Sequence, residues 1–394
     1  MSKHRSNNPI FALIMMTYAI HLPYANATEW RLNGNVKQDT GYDDNVRMQK
    51  QAQGSFEYLL TPQLSVARKE QDWDINANAS YGLQQYTDID GLDYSPQNYG
   101  AQSEYRTART RWGLNASYAD TLSRNNAVQD TGNFSSASNQ VKWAVSPSFS
   151  YLLTQRDSAT ITAGYNKTAY SSSALSSNDG QSANMTWQRQ WNERLTHTID
   201  SAYTHYQFGS LGNSSTADSY SLTAMLAYKL TQLWSIQGSL GGRVTESLTE
   251  SGQQALLQQI SSGFLADLSF TYTGEQITSS LKLGRSLAPS SQGNLNEQTQ
   301  LAWNAGYKLN KRWQAAIGTS YQMSKATSQN SLTNNSFNNR NNLTVTPNLN
   351  WLITPEWVAQ LSYRYRQQDS LYLAESNMLM LTLTYNWQGF SISR

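Results

Sequence analysis

Leu379-Met380-Leu381-Thr382-Leu383-Thr384-Tyr385-Asn386-Trp387 alternates without a fault, with Leu, Leu, Leu, Tyr and Trp at the odd positions and Met, Thr, Thr and Asn at the even ones. A period of two places the two sets on opposite faces of a β-strand. Trp73, Ile75, Ala77, Ala79, Tyr81 and Leu83 alternate in the same way with Asp74, Asn76, Asn78, Ser80, Gly82 and Gln84. So do Leu301, Trp303, Ala305, Tyr307 and Leu309 with Gln300, Ala302, Asn304, Gly306 and Lys308. One face suits hydrocarbon and the other water.

Between such runs lie eight short turns, spaced 37 to 46 residues apart, beginning near Lys69, Ala108, Thr154, Asn192, Thr231, Thr273, Asn310 and Thr354. Eight turns join sixteen strands, and one strand at each end brings the number to eighteen. The pattern predicts an all-β fold, a closed antiparallel transmembrane β-barrel of about 18 strands with no plug domain. A period near 40 also suits a β-propeller, but a propeller blade packs four short strands into its repeat. Each repeat here holds two runs of about a dozen residues, the length a tilted membrane strand needs.

Composition fits a barrel. Only 38% of residues are hydrophobic and 14% charged, with 24 Tyr and 12 Trp and a mean hydropathy of −0.61. A polar lumen hides half of each strand from a hydropathy scan, so this average does not argue for solubility. Downstream of residue 27 no stretch has the length and apolarity of a spanning helix. The chain has no cysteine, consistent with passage through an oxidising periplasm.

Lys3, His4 and Arg5 precede an apolar run from Ile10 to Ile20, and Ala25-Asn26-Ala27 follows with small residues at signal-peptidase spacing. Residues 1–27 therefore read as a signal peptide and 28–394 as the barrel, located in the outer membrane of a Gram-negative bacterium. The formal charge of +2 falls to zero once Lys3 and Arg5 are gone, which removes the electrostatic case for nucleic acid. The expected surroundings are outer-membrane lipid.

Topology follows from turn length. Short turns mark the periplasmic end in bacterial barrels. Nine longer connections then face outward, at about 38–53, 85–99, 120–139, 168–182, 206–219, 246–261, 286–298, 324–340 and 367–376. Trp30, Trp73, Trp112, Trp191, Trp234, Trp313, Trp357 and Trp387 fall at periplasmic strand ends, where an interfacial aromatic girdle belongs. Pro62, Pro147 and Pro347 each stand seven residues before a turn, and a mid-strand proline implies either a bulge or a place where the neighbouring strand forgoes an N–H.

Parity assigns Arg31, Lys37, Arg106, Lys142, Lys229, Arg243, Lys282, Lys308, Arg364 and Arg366 to the lumen, against Glu57, Asp74, Glu104, Asp200 and Asp267. The candidate solute-contacting set is Arg364, Arg366, Gln360, Arg31, Arg106, Lys142, Arg243 and Lys282, with Gln360, Ser362, Arg364 and Arg366 as a ladder on one strand. A cationic surplus predicts anion preference, and a long outer connection such as 120–139 or 324–340 is suited to folding inward as a gate.

Enzymatic and cofactor readings have little to stand on. His197 and His205 share the parity of Ile199 and Tyr203, the lipid face, so His205 is a formal rim candidate for a hydroxyl-activating base and otherwise a girdle residue. Asp88-Ile89-Asp90-Gly91-Leu92-Asp93 has some of the carboxylates of a calcium loop but lacks its full oxygen spacing and closing Glu. No enzyme activity, cofactor or metal is expected.

Tyr42-Asp43-Asp44-Asn45, Thr61-Pro62-Gln63-Leu64, the Tyr-Lys-Leu-Thr/Asn turns at Tyr228–Thr231 and Tyr307–Asn310, and the final Leu383-Thr384-Tyr385-Asn386-Trp387 resemble the β-barrel porin 2 family, outer-membrane proteins of exopolysaccharide (EpsL-type) and exosortase/PEP-CTERM loci. The resemblance runs over the whole chain after residue 27. It implies an outer-membrane channel through which a secreted polysaccharide leaves the cell, with periplasmic export machinery as partner. A diffusion porin for small hydrophilic solutes stays open as an alternative, as does a surface structural or adhesive barrel. One departure from the usual barrel pattern is the C-terminus, Phe390-Ser391-Ile392-Ser393-Arg394, where a bulge at Gly389 would let Phe390 stand as the terminal aromatic.

Overall fold

The computed structural model describes residues 28–130, 132–210, 213–251, 254–327 and 339–393; the segment read as a signal peptide, most of the 324–340 connection and Arg394 lie outside them. The strands are β1 (Glu29–Asp43), β2 (Ser55–Lys69), β3 (Trp73–Tyr81), β4 (Leu83–Tyr86), β5 (Gln97–Arg106), β6 (Thr110–Leu122), β7 (Asn139–Leu152), β8 (Asp157–Tyr170), β9 (Ser177–Gln190) and β10 (Leu195–Ser210). They continue as β11 (Asn213–Lys229), β12 (Trp234–Ser251), β13 (Gln254–Thr273), β14 (Ile277–Pro289), β15 (Leu295–Lys308), β16 (Trp313–Ala326), β17 (Arg340–Leu352), β18 (Trp357–Asp369) and β19 (Leu373–Ser393). Every pairing is between antiparallel neighbours and β1 pairs with β19, so the sheet closes on itself. β3 and β4 are two halves of one crossing, both paired with β2 and separated by Gly82, whose N–H turns aside to the carbonyl of Pro96 at 2.7 Å. The barrel is therefore eighteen-stranded.

The outer surface is the apolar one. Leu240 and Ile260 are each 67% exposed, Leu222 60% and Leu381 55%. Dozens of such side chains in a continuous band would be untenable in water and are natural in lipid. Among the described residues no helix is long and apolar enough to cross a membrane; the strands do the crossing.

Six of the eight short turns repeat one device. The side-chain oxygen of Thr107, Thr154, Asn192, Thr231, Asn310 or Thr354 accepts the backbone N–H groups two and three residues ahead, at 2.8 to 3.4 Å. Thr and Asn are favoured there because a short polar side chain can stand in for a backbone acceptor in a tight turn. Aromatic residues flank these turns as cross-strand pairs, including Trp313 stacked on Trp351 with ring centroids 5.3 Å apart, Trp234 on Tyr272 at 4.7 Å and Trp357 on Tyr385 at 4.9 Å.

The three prolines share one solution, and it is not a bulge. Val145 pairs with Tyr165 and Ser148 with Thr162, while Val345 pairs with Tyr365 and Asn348 with Ser362; the register is unchanged across Pro147 and Pro347, and only the rungs there are missing. Pro62 likewise stands opposite the β3/β4 break, with Leu60 on Leu83 and Gln63 on Ser80. In each case the ladder to the preceding strand is kept.

Five connections expected as loops, 168–182 among them, are strands for much of their length. The stretches 206–219, 246–261, 286–298 and 367–376 are largely continuations of hairpins, and β12 and β13 reach 18 and 20 residues. Their Ser, Asn, Gly and Asp content signals water on both faces beyond the membrane, which does not stop the backbone from pairing.

The seam depends on one glycine. Leu32 pairs with Phe390 and Gly34 with Trp387, so two residues of β19 oppose one of β1, and Gly389 takes φ +67°. The bulge turns Phe390 to the outer face, where it meets Trp387 edge-on at 5.3 Å. A Cβ on Gly389 would lie 1.5 Å from the Leu32 carbonyl oxygen. Gly389→Ala is expected to lower stability by about 2 kcal/mol or more, because both the dihedral and the space forbid it. Urea unfolding followed by heat-modifiable gel migration measures it, with Gly242→Ala, where a Cβ meets nothing within 4 Å, as the unchanged control. Equal midpoints for the two variants would refute this account of the seam.

Candidate functional site

Among the described residues, two clusters of buried apolar side chains lie at the outer mouth of the barrel. Val46, Ile89, Leu92 and Leu122 form one cluster with Tyr86 and Tyr94 against them. Met48, Ala127, Phe134 and Ala374 form a second with Val128 and Tyr372. These residues come from the connections after β1, β4, β6 and β18, which have folded over the channel and onto one another. Ile89 and Leu92 account for the Asp88–Asp93 sequence: the apolar residues point into the cluster, Gly91 takes φ +80°, and Asp93 accepts the Tyr86 N–H at 2.8 Å. Among the described residues no group of three His, Asp or Glu side chains is placed to hold a metal.

The connection between β6 and β7 goes furthest. After a single 3₁₀ turn at Ser123–Asn126 it coils tightly, with the Gly132 N–H returning to the Ala127 carbonyl at 2.7 Å and Gly132 at φ +66°. On its own side Asp130 accepts from Gln140 Nε2 at 2.5 Å, from the Tyr170 hydroxyl and from the Ser291 N–H at 3.1 Å, and Lys142 Nζ stands 3.8 Å away. On the other side four inward side chains donate to its main chain. Gln298 reaches the Gln129 carbonyl at 2.6 Å and Gln322 the Val128 carbonyl at 3.1 Å. Arg340 reaches the carbonyls of Val128 and Asp130 at 3.0 and 3.1 Å, and Gln368 that of Gly132 at 2.7 Å.

The two sets of anchors lie on opposite walls. Gln140 and Tyr170 belong to β7 and β8, and the four donors to β15, β16, β17 and β18. Going round the barrel, six crossings separate β8 from β15 and six separate β18 from β7. Residues 127–130 and 132 thus form a bar across the lumen.

A second intrusion comes from the β14–β15 hairpin. The β13–β14 ladder stops at Ala266 and Arg285, after which β14 leaves the wall and tilts inward. The outer face of β14–β15 then packs against the inner face of β10–β12, with Leu295 against Phe208 and Ala217. The tip is buried, Ser290 and Ser291 being 1% and 0% exposed, and Ser291 is the residue whose N–H reaches Asp130. Glu297 is bound by Arg243 from β12 on one side and by Arg285 at 2.5 Å on the other, clamping hairpin to wall.

These coverings re-sort the cations expected to meet solute. Arg243 faces inward as its parity requires, but it is 4% exposed under the hairpin and committed to Glu297. Arg366 is likewise covered, 2.6 Å from Asp43 with Phe134 of the bar connection over its guanidinium at 5.2 Å. Neither offers surface to a solute. Arg364 keeps partial exposure beside Asp43 at 3.7 Å, Gln360 donates to Asn350 at 2.8 Å, and Lys142 leans toward Asp130. Arg106 is bound to Asp74 and lies 3.3 Å from Glu104, and Arg31 lies 2.7 Å from Glu29. Lys282, with Lys229 and Lys308, is exposed and has no ion-pair partner among the described residues.

On the outside, His205 Nδ1 lies 2.9 Å from Asp218, which also accepts the Tyr203 hydroxyl at 2.7 Å, and His197 meets Trp187 edge-on at 5.9 Å. Both histidines stand on the surface turned away from the lumen. The bar was foreshadowed in the sequence only by the length of 120–139; the four donors had no signal, since three are Gln among many polar inward residues.

No family model and no curated protein sequence matches this chain, so the family resemblance rests on the motifs quoted for it. Solved structures similar to it include OccAB4 of Acinetobacter baumannii, 11% identical over 94% of this chain and 100% of that one with a TM-score of 0.49. OpdQ of Pseudomonas aeruginosa is 9% identical over 92% and 98%, with a TM-score of 0.47. The ferric-catecholate import receptor Fiu of E. coli K12 is 8% identical over 92% and 68%, with a TM-score of 0.49.

Proposed function

We propose that the chain is an outer-membrane channel for hydrophilic solutes whose outer mouth is held narrow by the bar that residues 127–130 and 132 form. The bar carries this reading. A purely structural barrel has no use for a coiled main-chain segment held between opposite walls of a polar lumen. A channel has one, because such a segment sets which solutes pass. Eighteen strands enclose more space than side chains fill, and the Ser, Thr, Asn and Gln of the inner face hydrogen-bond hydroxyls without trapping them.

Charge selection belongs to the inner half. Lys229, Lys282 and Lys308 supply unpaired cations there, with Arg364 above them, and such a wall lowers the barrier for anions. Export of an extracellular polysaccharide is the finer form of the reading; it rests on the resemblance and on the hydroxyl-binding character of the lumen. A general diffusion porin shares the same wall.

Planar-bilayer recordings test the channel. Asp130→Ala removes the acceptor that ties the bar to β7, β8 and the hairpin tip, and single-channel conductance is expected to rise severalfold. Asp90→Ala, an exposed side chain in the neighbouring connection, should leave conductance as it was. Identical traces for wild type and Asp130→Ala would remove the bar from the account.

Reversal potentials across a KCl gradient test selectivity. The wild type should favour chloride, and the triple change Lys229→Ser/Lys282→Ser/Lys308→Ser should abolish the preference; a cation-selective wild type overturns it. For export, a deletion strain should lose secreted polysaccharide, and unchanged secretion leaves the diffusion porin.

A further inference from the structure

The inner wall is not lined alike all the way round. At the short-turn end of β5–β9 a cavity of about 340 Å³ has the guanidiniums of Arg106, Arg109 and Arg111 on one side and Ser150, Ser158, Thr160 and Gln188 on the other. Two carboxylates stand among these cations. Asp74 and Glu104 both hold Arg106, and Glu104 reaches Arg111 only through its Nε, at 3.5 Å. The Arg111 side chain is 60% exposed, and among the described residues neither its terminal nitrogens nor the exposed Arg109 guanidinium has a partner. Ser150 and Thr160 share one hydrogen bond at 2.8 Å, so each hydroxyl keeps capacity for another.

A second cavity, of about 290 Å³, lies further along the same wall on β3–β7. Its polar lining is Asn76, Asn78, Gln102, Asn115, Ser117 and Ser146, with no charged residue, and none of these side chains is bonded to another described residue. The wall between the two cavities is low, because Gly113 on β6 stands beside Ser148 on β7. From Arg111 to Ser117 the strand runs roughly 20 Å.

The geometry points to a binding track for an acidic glycan on the inner face of β5–β7, with a sugar carboxylate held by Arg111 and Arg109 and the following units lying in the uncharged cavity. A guanidinium fork matches a carboxylate with two parallel bonds. Side-chain amides present a donor and an acceptor side by side, which suits the neighbouring hydroxyls of a sugar ring. An acidic peptide would satisfy the arginines but would leave the Asn and Ser groups of the second cavity without hydroxyls to bind. The inference rests on the channel reading and names the solute class. Lys229, Lys282 and Lys308 stand on β11, β14 and β15, away from the track, and act on any passing anion through charge alone.

The test uses full-length refolded protein in planar bilayers, with tetragalacturonate as probe and maltotetraose and tetraglutamate as comparators. Tetragalacturonate is expected to interrupt the wild-type current with blocks about tenfold longer than either comparator gives, as one charge-assisted hydrogen bond is worth. Arg109→Gln/Arg111→Gln should remove that difference and leave maltotetraose blocks unchanged. Asn76→Leu/Asn115→Leu, which fills the uncharged cavity, should shorten the blocks of both glycans. Lys282→Ser should weaken chloride preference without altering block length, which separates a contact site from a general field. Equal tetragalacturonate blocks in wild type and Arg109→Gln/Arg111→Gln overturn the track, and tetraglutamate blocks as long as those of tetragalacturonate overturn the glycan. Heat-modifiable migration checks that each variant is a closed barrel, and calorimetry of the detergent-solubilised protein reads binding without conduction. Wild type that conducts but binds no tetragalacturonate overturns the track. Wild type that binds it through Arg109 and Arg111 but does not conduct overturns the channel reading instead.

Discussion

Hydrocarbon offers no partner to a peptide group, and that one fact governs the architecture. Every backbone N–H and C=O within the membrane must find its mate inside the protein, which for strands means a sheet with no edge. Closure at β1 and β19 is therefore the condition for all the rest, and the Gly389 bulge is the local adjustment that meets it. The prolines obey the same rule from the other side. Proline brings no N–H, so a ladder that skips Pro147 or Pro347 leaves no donor stranded there, and the unchanged register on either side shows that the missing rungs do not displace the strands.

Once the wall is closed, its inner face becomes a second surface with different physics. The wall is held by a continuous ladder in which each rung supports the next. The bar is held by a handful of separate hydrogen bonds, three of them from neutral Gln donors and the others involving the Asp130 carboxylate or the Arg340 guanidinium, and by one small apolar cluster. Segments of such unequal stability can move relative to each other, and the weaker one lies across the lumen. The hairpin β14–β15 stands between these extremes. It is part of the wall at its inner end and part of the cap at its outer end, and Glu297 with its two arginines marks the place where it changes role.

The wall was legible in the sequence and the cap was not, for a physical reason. Alternation at period two reports which face of a strand meets lipid, and turn chemistry such as Thr231 and Asn310 repeats because each short turn solves the same local problem. Both are local, so both survive in the chain as pattern. The cap is built from contacts between residues far apart in sequence: Asp130 with Ser291, Val128 with Arg340, Phe134 with Arg366. Each is a polar or apolar residue in a polar stretch with no period to reveal it. The same reasoning explains where polar composition misled. Residues 246–261 read as loop because both faces are hydrophilic, whereas a hairpin rising into water keeps its ladder while giving up its alternation.

Parity also overcounts charge, and the manner of its error is informative. It reports the face on which Arg243 and Arg366 stand, correctly, but not what lies over that face. Both arginines belong to the outer half, where the cap supplies Glu297 and Asp43 with geometry that holds them. The inner-half lysines Lys229, Lys282 and Lys308 lie beneath no such cover. The charges therefore differ along the axis: Arg243 and Arg366 in the outer half hold the cap together, Arg106 and Arg31 in the inner half pair with Asp74, Glu104 and Glu29 in the wall, and Lys229, Lys282 and Lys308 have no ion-pair partner among the described residues. In the proposed channel, size and hydrogen-bonding capacity are screened first, at the bar, and charge afterwards, along the lysines. In such a channel a solute arriving from the periplasm meets the two filters in the opposite order, so the proposal implies different barriers to entry from the two ends.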